Sequence, residues 1–307
     1  MLNVTIRQLK VFESVARNLS YTRAAEELHL TQPAVSMQIK QLESAIDHPV
    51  LEQFGKKNYL TAAGKEMQFY ASEILRLLDE SENVLLDLKG VKTGVLDIAV
   101  ATTANDFATR ILASFSKIHE GIRIRLDVTN RKKLLEQLQS NEKDLVIMGR
   151  PPREMDIETE AIMDNPLVVI ASPNHPLANQ KQISISEVIK FTFVIREQAS
   201  GTRIAVEKFF SKHNLDMTSR MEMTSNEAIK QAVQAGLGLG IVSIHTVGLE
   251  IEAGKLVVLD IKEFPIIRHW YVVYKKGKRL SAVANEFKEY VLQKGASFVY
   301  TPNMGDK

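Results

Sequence analysis

The sequence predicts a two-lobed α/β region behind an N-terminal all-α, winged helix-turn-helix head and one long linker helix. Three observations predict it. Two short amphipathic helices meet through Ala24 and Ala25. An apolar heptad pattern then runs from Met67 to Leu88 without a proline. From Gly94 onward, apolar strand runs alternate with amphipathic helices. A chain of 307 residues suits two or three compact units. The composition, 45% hydrophobic and 25% charged, is that of a globular protein, and a net charge of +2 announces neither a nucleic acid nor a membrane partner. With no cysteine, disulfides, thiolate metal sites and Cys nucleophiles are excluded, which fits a reducing cytoplasm. Arg7, Lys10, Glu13 and Arg17 break up any signal-peptide core. No apolar run approaches the ~20 residues of a membrane span. The expected location is cytoplasmic, with no membrane partner.

The head comes first. Ile6 to Leu19 reads as a helix with Leu9, Phe12, Val15, Ala16 and Leu19 on one side. Ser20 or Thr22 caps the short helix "RAAEEL". Thr31 caps a third helix, whose first turn holds Pro33, where a missing N–H costs little. Ala24, Ala25 and Leu28 then meet Val35, Ile39 and Leu42 in a helix-turn-helix. The opposite face of the third helix carries Gln32, Pro33, Ser36, Met37 and Lys40. A merely solvated face has this composition too. In a helix-turn-helix, however, that face enters the major groove. There Gln reads adenine, Ser serves base or phosphate, Met37 touches a thymine methyl and Lys40 suits a phosphate. "VLEQFGKKNYLT", Val50 to Thr61, reads as a hairpin tipped by Gly55, Lys56, Lys57 and Asn58, a basic wing aimed at phosphates or the minor groove. Thr22, Arg23 and Thr31 complete the candidate DNA-facing set, and double-stranded DNA is the expected partner.

In the long helix, Met67, Ala71, Ile74, Leu78, Ser81, Leu85 and Leu88 recur at steps of four and three, widened by Tyr70, Leu77 and Val84. The plain alternative is a helix packed on its own domain. With no partner helix adjacent in sequence, we expect Met67, Ala71, Ile74, Leu78, Leu85 and Leu88 to form a dimer seam. "KGVKTG", Lys89 to Gly94, follows as a linker.

The strands "VLDIAVA", "IRIRLDV" and "DLVIMG" alternate with helices from Asp106 and Arg131, the pattern of a parallel sheet. "PLVVIAS" from Pro166 opens a second series through "FTFVIRE", a helix from Arg203 to Asn214, "RMEMT", "NEAIKQAVQAG" and "LGIVS". "RHWYVVYKK" and a helix from Ser281 to Gln293 return to the first lobe, with crossings near Asp164–Pro166 and Ile267–His269. The expected division is a winged head over 1–61, a linker and dimerisation helix over 62–90, lobe I over 91–165 and 268–294, lobe II over 166–267, and a flexible tail over 295–307.

Ligands of open α/β sheets gather at strand carboxyl ends beside helix N-termini, which favour anions. Those places hold Thr102, Thr103, Thr129, Asn130, Arg150, Thr224, Ser225 and Asn226, and "REQASGTR" supplies Ser200, Gly201, Thr202 and Arg203. Any one hydroxyl there is often only a helix cap. Together they favour an anionic metabolite, with Arg203 forking onto phosphate or carboxylate. "GLGLG", Gly236 to Gly240, is no dinucleotide fingerprint, because the helix precedes it and the strand follows. It reads as a helix C-cap and turn. The seven histidines show no metal-ligand spacing, and no G-x-S-x-G, P-loop or HExxH occurs. The chain reads as no enzyme, with no metal, no catalytic residue and no resident cofactor.

"LKVFESVARNLSYTRAAEELHLTQPAVSMQIKQLE" followed by "LTAAGKEM" resembles the LysR-type transcriptional regulators, and the order of parts matches them essentially end to end. The resemblance implies a periplasmic-binding-protein-like effector region and a regulator, an activator or a repressor, modulated by a small molecule in the cleft. It also implies a homodimer or tetramer and possible contact with RNA polymerase. It places Gln32, Pro33, Ser36 and Gln38 in the DNA-reading helix and Lys56 and Lys57 in the wing. The family commonly has Arg where this chain has Gln53, and many members have Arg at Met37, so phosphate or base contacts differ here. "DLVIMGRPP", "DNPLVVIASPNHPLA" and "REQASGTRIAVEKFF" resemble the subgroup controlling RuBisCO and Calvin-cycle operons, which implies a sugar phosphate or NADPH as effector. The rival reading is a cytoplasmic solute-binding or enzymatic α/β protein with a regulatory DNA-binding head.

Overall fold

The computed structural model describes residues 3–55, 57–88 and 94–299. Lys56, linker residues 89–93 and tail residues 300–307 lie outside the described residues, as do the side chains of Val84 and Leu88. The chain divides into two units, residues 1–91 and 92–307.

In the first unit, helix α1 (Ile6–Asn18) starts at a capping box in which Thr5 and Gln8 exchange backbone and side-chain hydrogen bonds of 3.2 and 2.7 Å. Ser20 caps α2 (Tyr21–Glu27), whose Ala24 and Ala25 are buried. Helix α3 (Gln32–Ile46) follows, with Thr31 at its N-cap position but without a side-chain cap bond. Phe12, Val15, Val35, Ile39 and Leu42 fill the common core. Strands β1 (Leu51–Phe54) and β2 (Lys57–Leu60) pair antiparallel as the wing. The Nδ2 of Asn58 donates to the Leu19 carbonyl at 3.1 Å and ties the wing to the end of α1.

Helix α4 (Ala62–Leu88) begins where Thr61 Oγ1 accepts from the Gly64 N–H at 2.9 Å and donates to the Pro49 carbonyl at 2.7 Å. This helix corrects part of the expected seam. Ala71 is fully buried in the head's own core, and Met67 packs against it. The first turns of α4 complete the winged fold, so Met67 and Ala71 are used within the chain. The exposed large apolar residues of α4 are Phe69, Tyr70, Ile74, Leu77, Leu78 and Leu85.

The second unit alternates β3 (Gly94–Ala101), α5 (Asn105–Ile118), β4 (Ile122–Thr129), α6 (Arg131–Gln139), β5 (Leu145–Gly149) and β6 (Ile157–Asp164). The chain then crosses to β7 (Leu167–Ala171), α7 (Ile185–Val188), β8 (Phe193–Arg196), α8 (Gly201–Lys212) and β9 (Ser219–Met223). It continues through α9 (Asn226–Gln234), β10 (Leu239–Ser243), α10 (Gly248–Glu252) and β11 (Val257–Val258). The return brings β12 (His269–Lys275) and α11 (Ala282–Lys294). The first lobe has strand order β4-β3-β5-β12-β6, and the second has β11-β7-β10-β8-β9.

Both sheets are mixed, where the alternation predicted a parallel one. β12 runs antiparallel to β5 and β6, and β7 runs antiparallel to β10 and β11. The cause is the double crossing, which sends strands back into a sheet from the opposite end. β6 escaped the sequence reading because only Ile162 among its residues is buried. Each sheet is covered on both faces, the first by α5 and α11 opposite α6, the second by α8 opposite α9. The first residues of the expected flexible tail pack on the first lobe. Gly295–Phe298 forms a 3-10 turn, with Gly295 buried and Phe298 and Val299 packed on the first lobe's core. In "GLGLG" the first three residues turn after α9, with Gly236 and Gly238 at φ of +80° and +149°, and Leu239 and Gly240 open β10.

The two crossings lie side by side. The Asn165 N–H donates to the Arg268 carbonyl at 2.7 Å, and Leu167 and Ile266 exchange backbone bonds of 2.9 and 3.0 Å. A paired joint of this kind lets the lobes move relative to each other while keeping their register.

Candidate functional site

The first unit presents a polar helix face beside a basic hairpin. Gln32, Pro33, Met37 and Lys40 are exposed on α3, with Ser36 and Gln38 half-buried beside them. Gln38 Nε2 donates to Gln41 Oε1 at 3.2 Å. Thr22 and Arg23 on α2, Thr31 and Lys57 are also exposed. The angle between α1 and α2 is held by Glu27, whose carboxylate accepts from Ser14, Arg17 and Asn18. That network holds the Glu27 carboxyl below its usual range, the Arg17 hydrogen bond being the largest cause.

In the second unit the lobes enclose a small cavity of about 40 Å³ at the crossings. Gly149, Arg131 and Trp270 reach it from the first lobe, Arg196, Ser200, Gly201 and Thr202 from the second, and Asn165 and Arg268 from the crossings themselves. Arg131 Nη1 donates to the Arg150 carbonyl at 2.9 Å. Among the described residues, neither Arg131 nor Arg268 has a carboxylate within salt-bridge distance. Burial, reinforced by the neighbouring charge of Arg131, pushes the Arg268 guanidinium down to about 10, and burial also lowers Arg131. Two cations held close together, without a carboxylate partner among the described residues, have the electrostatics to take an anion.

Glycine makes that approach possible. A Cβ on Gly149 would stand 2.7 Å from Arg268 Nη2, and one on Gly201 would lie 3.5 Å from the same atom and 3.7 Å from Arg131 Nη1. Around the same cavity, Asn165 Oδ1, Ser243 Oγ and Trp270 Nε1 are buried without a hydrogen-bond partner. Buried polar atoms without partners are costly and rare, so their convergence points to a bound polar group.

Several expected residues do line the cleft. Thr103, Ser200, Gly201 and Thr202 face the small cavity, and Thr102, Thr103, Ser225 and Asn226 face a second one of about 240 Å³. Others do not. Asn130 caps α6 by accepting from the Lys133 N–H at 3.0 Å, and Thr129 ends β4 outside both cavities. Arg150 lines neither cavity, and its carbonyl accepts from Arg131. Arg203 is the main correction. Its Nε pairs with Glu207 one turn along α8, and its Nη1 donates to the Arg196 carbonyl at 3.2 Å. A side chain in the first turn of a helix meets the residue four positions on, which draws Arg203 away from the cleft.

The arginines that reach the cavity were missed. Arg196 is 5% exposed and forks onto Glu197 at 2.7 and 2.8 Å, while Asn226 Oδ1 and the Thr224 carbonyl accept from it at 2.9 and 3.3 Å. It therefore braces the second lobe's wall. Arg131 directly follows Asn130, Arg196 opens "REQASGTR" and Arg268 lies in the expected return crossing. Each stood in or beside a stretch already singled out. Among the described residues, no group of three or more His, Asp or Glu forms a metal site.

Two family models match the chain. The bacterial regulatory helix-turn-helix protein, lysR family, covers residues 6–65, and the LysR substrate binding domain covers residues 89–296. A RuBisCO operon transcriptional regulator of Allochromatium vinosum is 55% identical over 96% of this chain and 98% of its own. The HTH-type transcriptional activator CmpR of Synechocystis is 47% identical over 95% of this chain and 96% of its own. Among solved structures, the Synechocystis CcmR regulatory domain in complex with 2-PG matches with a TM-score of 0.63 and 42% identity, covering 69% of this chain and 99% of that domain.

Proposed function

The chain belongs to the LysR family of bacterial transcriptional regulators, and from that premise we propose that it controls a carbon-fixation operon by sensing a small phosphorylated acid between its lobes. The observation that carries this reading is the pair Arg131 and Arg268, two cations without carboxylate partners beside three unpartnered buried polar atoms. The similarity to RuBisCO operon regulators supports the target, and the 2-PG complex of CcmR supports the ligand class. 2-Phosphoglycolate offers a phosphate and a carboxylate, one anion for each guanidinium. A sugar phosphate or NADPH carries the same phosphate chemistry and stands as its competitor.

A volume of about 40 Å³ is little more than the ~30 Å³ share of one water. A phosphorylated acid therefore fits only when Arg268 or the lobes shift. That requirement gives the ligand different affinities for two lobe arrangements, which is the condition for switching. On the DNA side, Gln32, Ser36, Met37 and Gln38 read bases, while Arg23, Lys40 and Lys57 reach phosphates. Dimers form through Ile74, Leu78 and Leu85 of α4, tetramers add contacts between effector lobes, and the assembly activates by contacting RNA polymerase in the cytoplasm.

Trp270 is the chain's one tryptophan and lines the anion cavity, so its fluorescence reports binding there. Titration with 2-phosphoglycolate, ribulose bisphosphate and NADPH is paired with fluorescence anisotropy on DNA upstream of the RuBisCO genes, against a scrambled duplex at two salt concentrations. We expect saturable quenching by at least one ligand and selective, salt-weakened DNA binding that the same ligand alters. Binding of both duplexes alike, or no ligand effect on either signal, overturns the reading.

A further inference from the structure

The cavity of about 240 Å³ also takes walls from both lobes, Thr102 and Thr103 from the first and Ser225, His245 and Thr246 from the second. Its electrostatics are opposite to those of the arginine site. Lys230 is 5% exposed and gives its protons to Glu227 at 2.6 Å, Glu250 at 2.8 Å and the Thr246 carbonyl at 3.0 Å. Arg110 is paired with Asp106 at 2.9 Å. The lining thus sets the three carboxylates Asp106, Glu227 and Glu250 against two cations that are already engaged. An anion finds no free donor charge there.

What remains free is neutral. His245 is 6% exposed and lines this cavity, and its Nδ1 is buried without a hydrogen-bond partner among the described residues. Burial holds that imidazole at about 4, so the ring is uncharged at neutral pH. The hydroxyls of Thr102 and Thr103 line the same wall, and Leu249, 76% exposed, brings an apolar surface to it. Carboxylates and hydroxyls beside one apolar side chain suit a sugar: the acceptors take ring hydroxyls while a C–H face lies on the leucine. The space equals roughly eight waters at about 30 Å³ each, enough for a monosaccharide.

We propose that this cavity is a second effector site, for an uncharged polyhydroxylated ligand, separate from the anion site. Thr103 lines both cavities, and both lobes wall each of them. Ligands at the two sites therefore bias the same lobe arrangement, and each changes the other's affinity by an equal factor.

The test is isothermal titration calorimetry of the full-length protein with D-ribose, D-glucose and myo-inositol, each with and without saturating 2-phosphoglycolate. At least one probe binds with a Kd of about 1 mM or tighter. That binding weakens by about tenfold or more in Leu249→Trp and in Asp106→Asn, while 2-phosphoglycolate affinity in both variants stays as in the parent. Both positions are exposed, so these variants keep the test intact if His245→Phe fails to fold. Absence of saturable binding by all three probes, or binding indifferent to both substitutions, overturns the proposal. Loss of 2-phosphoglycolate binding alone would sink the anion reading and leave this one standing.

Discussion

Arg268 Nη2 lies 2.7 Å from the point at which a Cβ would stand on Gly149. The guanidinium of the return crossing fills the space that a side chain on β5 would take. Gly149→Ala therefore displaces the cation but meets only the far end of a flexible side chain. The expected outcome is a Kd for 2-phosphoglycolate raised about tenfold, equivalent to roughly 1.4 kcal/mol, read by Trp270 fluorescence. The melting temperature moves by less than about 2–4 °C, the shift that 1 kcal/mol gives a unit of this size. Unchanged affinity would remove Arg268 from the site.

Arg203 and Arg268 should part company. Arg203 spends its charge on Glu207 and lines neither cavity, so Arg203→Ala is expected to leave effector affinity within about twofold. Arg268→Gln removes a charge-assisted contact worth about 1.5–3 kcal/mol and weakens binding by at least about tenfold. Titrating both variants side by side decides it. The reverse order of effects would restore the expectation drawn from "SGTR".

Gly64 sits at the start of α4, where a Cβ would stand 2.0 Å from the Val50 carbonyl oxygen. That obstacle is backbone and cannot swing aside. Gly64→Ala should destabilise the winged head by about 1–3 kcal/mol, visible in thermal unfolding of the head and in lost DNA binding. Effector quenching of Trp270 should persist in the same sample.

His245 predicts an acid-labile effector unit. Its folded pKa of about 4 lies below the ordinary 6.5 because burial disfavours the imidazolium. At pH 7 the ring is neutral in both folded and unfolded chains, and the shift costs nothing. Below pH 6.5 the unfolded chain takes up a proton that the folded one refuses, so stability falls as pH drops from 6.5 to about 4, by about 3 kcal/mol at most. Urea unfolding at pH 7 and pH 4.5 should show this loss in the parent and a smaller one in His245→Phe. Equal losses would assign the lability to other groups.

Met37 is 53% exposed on the DNA-facing side of α3. Met37→Arg adds one cation there and should steepen the salt dependence of binding by about one unit in log K against log salt. Operator and scrambled duplexes measured from low to moderate salt would show it on both. An unaltered slope would mean that this face does not meet the phosphates.

The head was legible because its signals are local. The alanines at positions 24 and 25, the apolar trio Val35, Ile39 and Leu42, and the wing glycine lie within forty-odd residues, and each acts on near neighbours. The two-lobed α/β architecture was legible for a similar reason, since strand and helix runs carry their own periodicity. The anion site was not. It joins residues 131, 165, 196, 268 and 270, which no sequence window contains. Arg203 looked right because it follows Gly201 and Thr202 at a helix start, yet helix geometry turned it onto Glu207. The heptad pattern likewise gives the face of α4 but not what covers it, and Ala71 proved to be covered by the chain's own head.

The position of β12 has a consequence for how the protein is made. This strand sits between β5 and β6, yet it leaves the ribosome about a hundred residues after β6. The whole second lobe is synthesised in that interval and is complete in itself. At about 5–20 residues per second, the first lobe waits on the order of 5–20 s with a gap in its sheet. The lobe encoded first is therefore the lobe finished last. Until β12 arrives, the nascent chain carries an open apolar edge along Val146, Ile147 and Met148, which makes translation speed through the second lobe a determinant of yield.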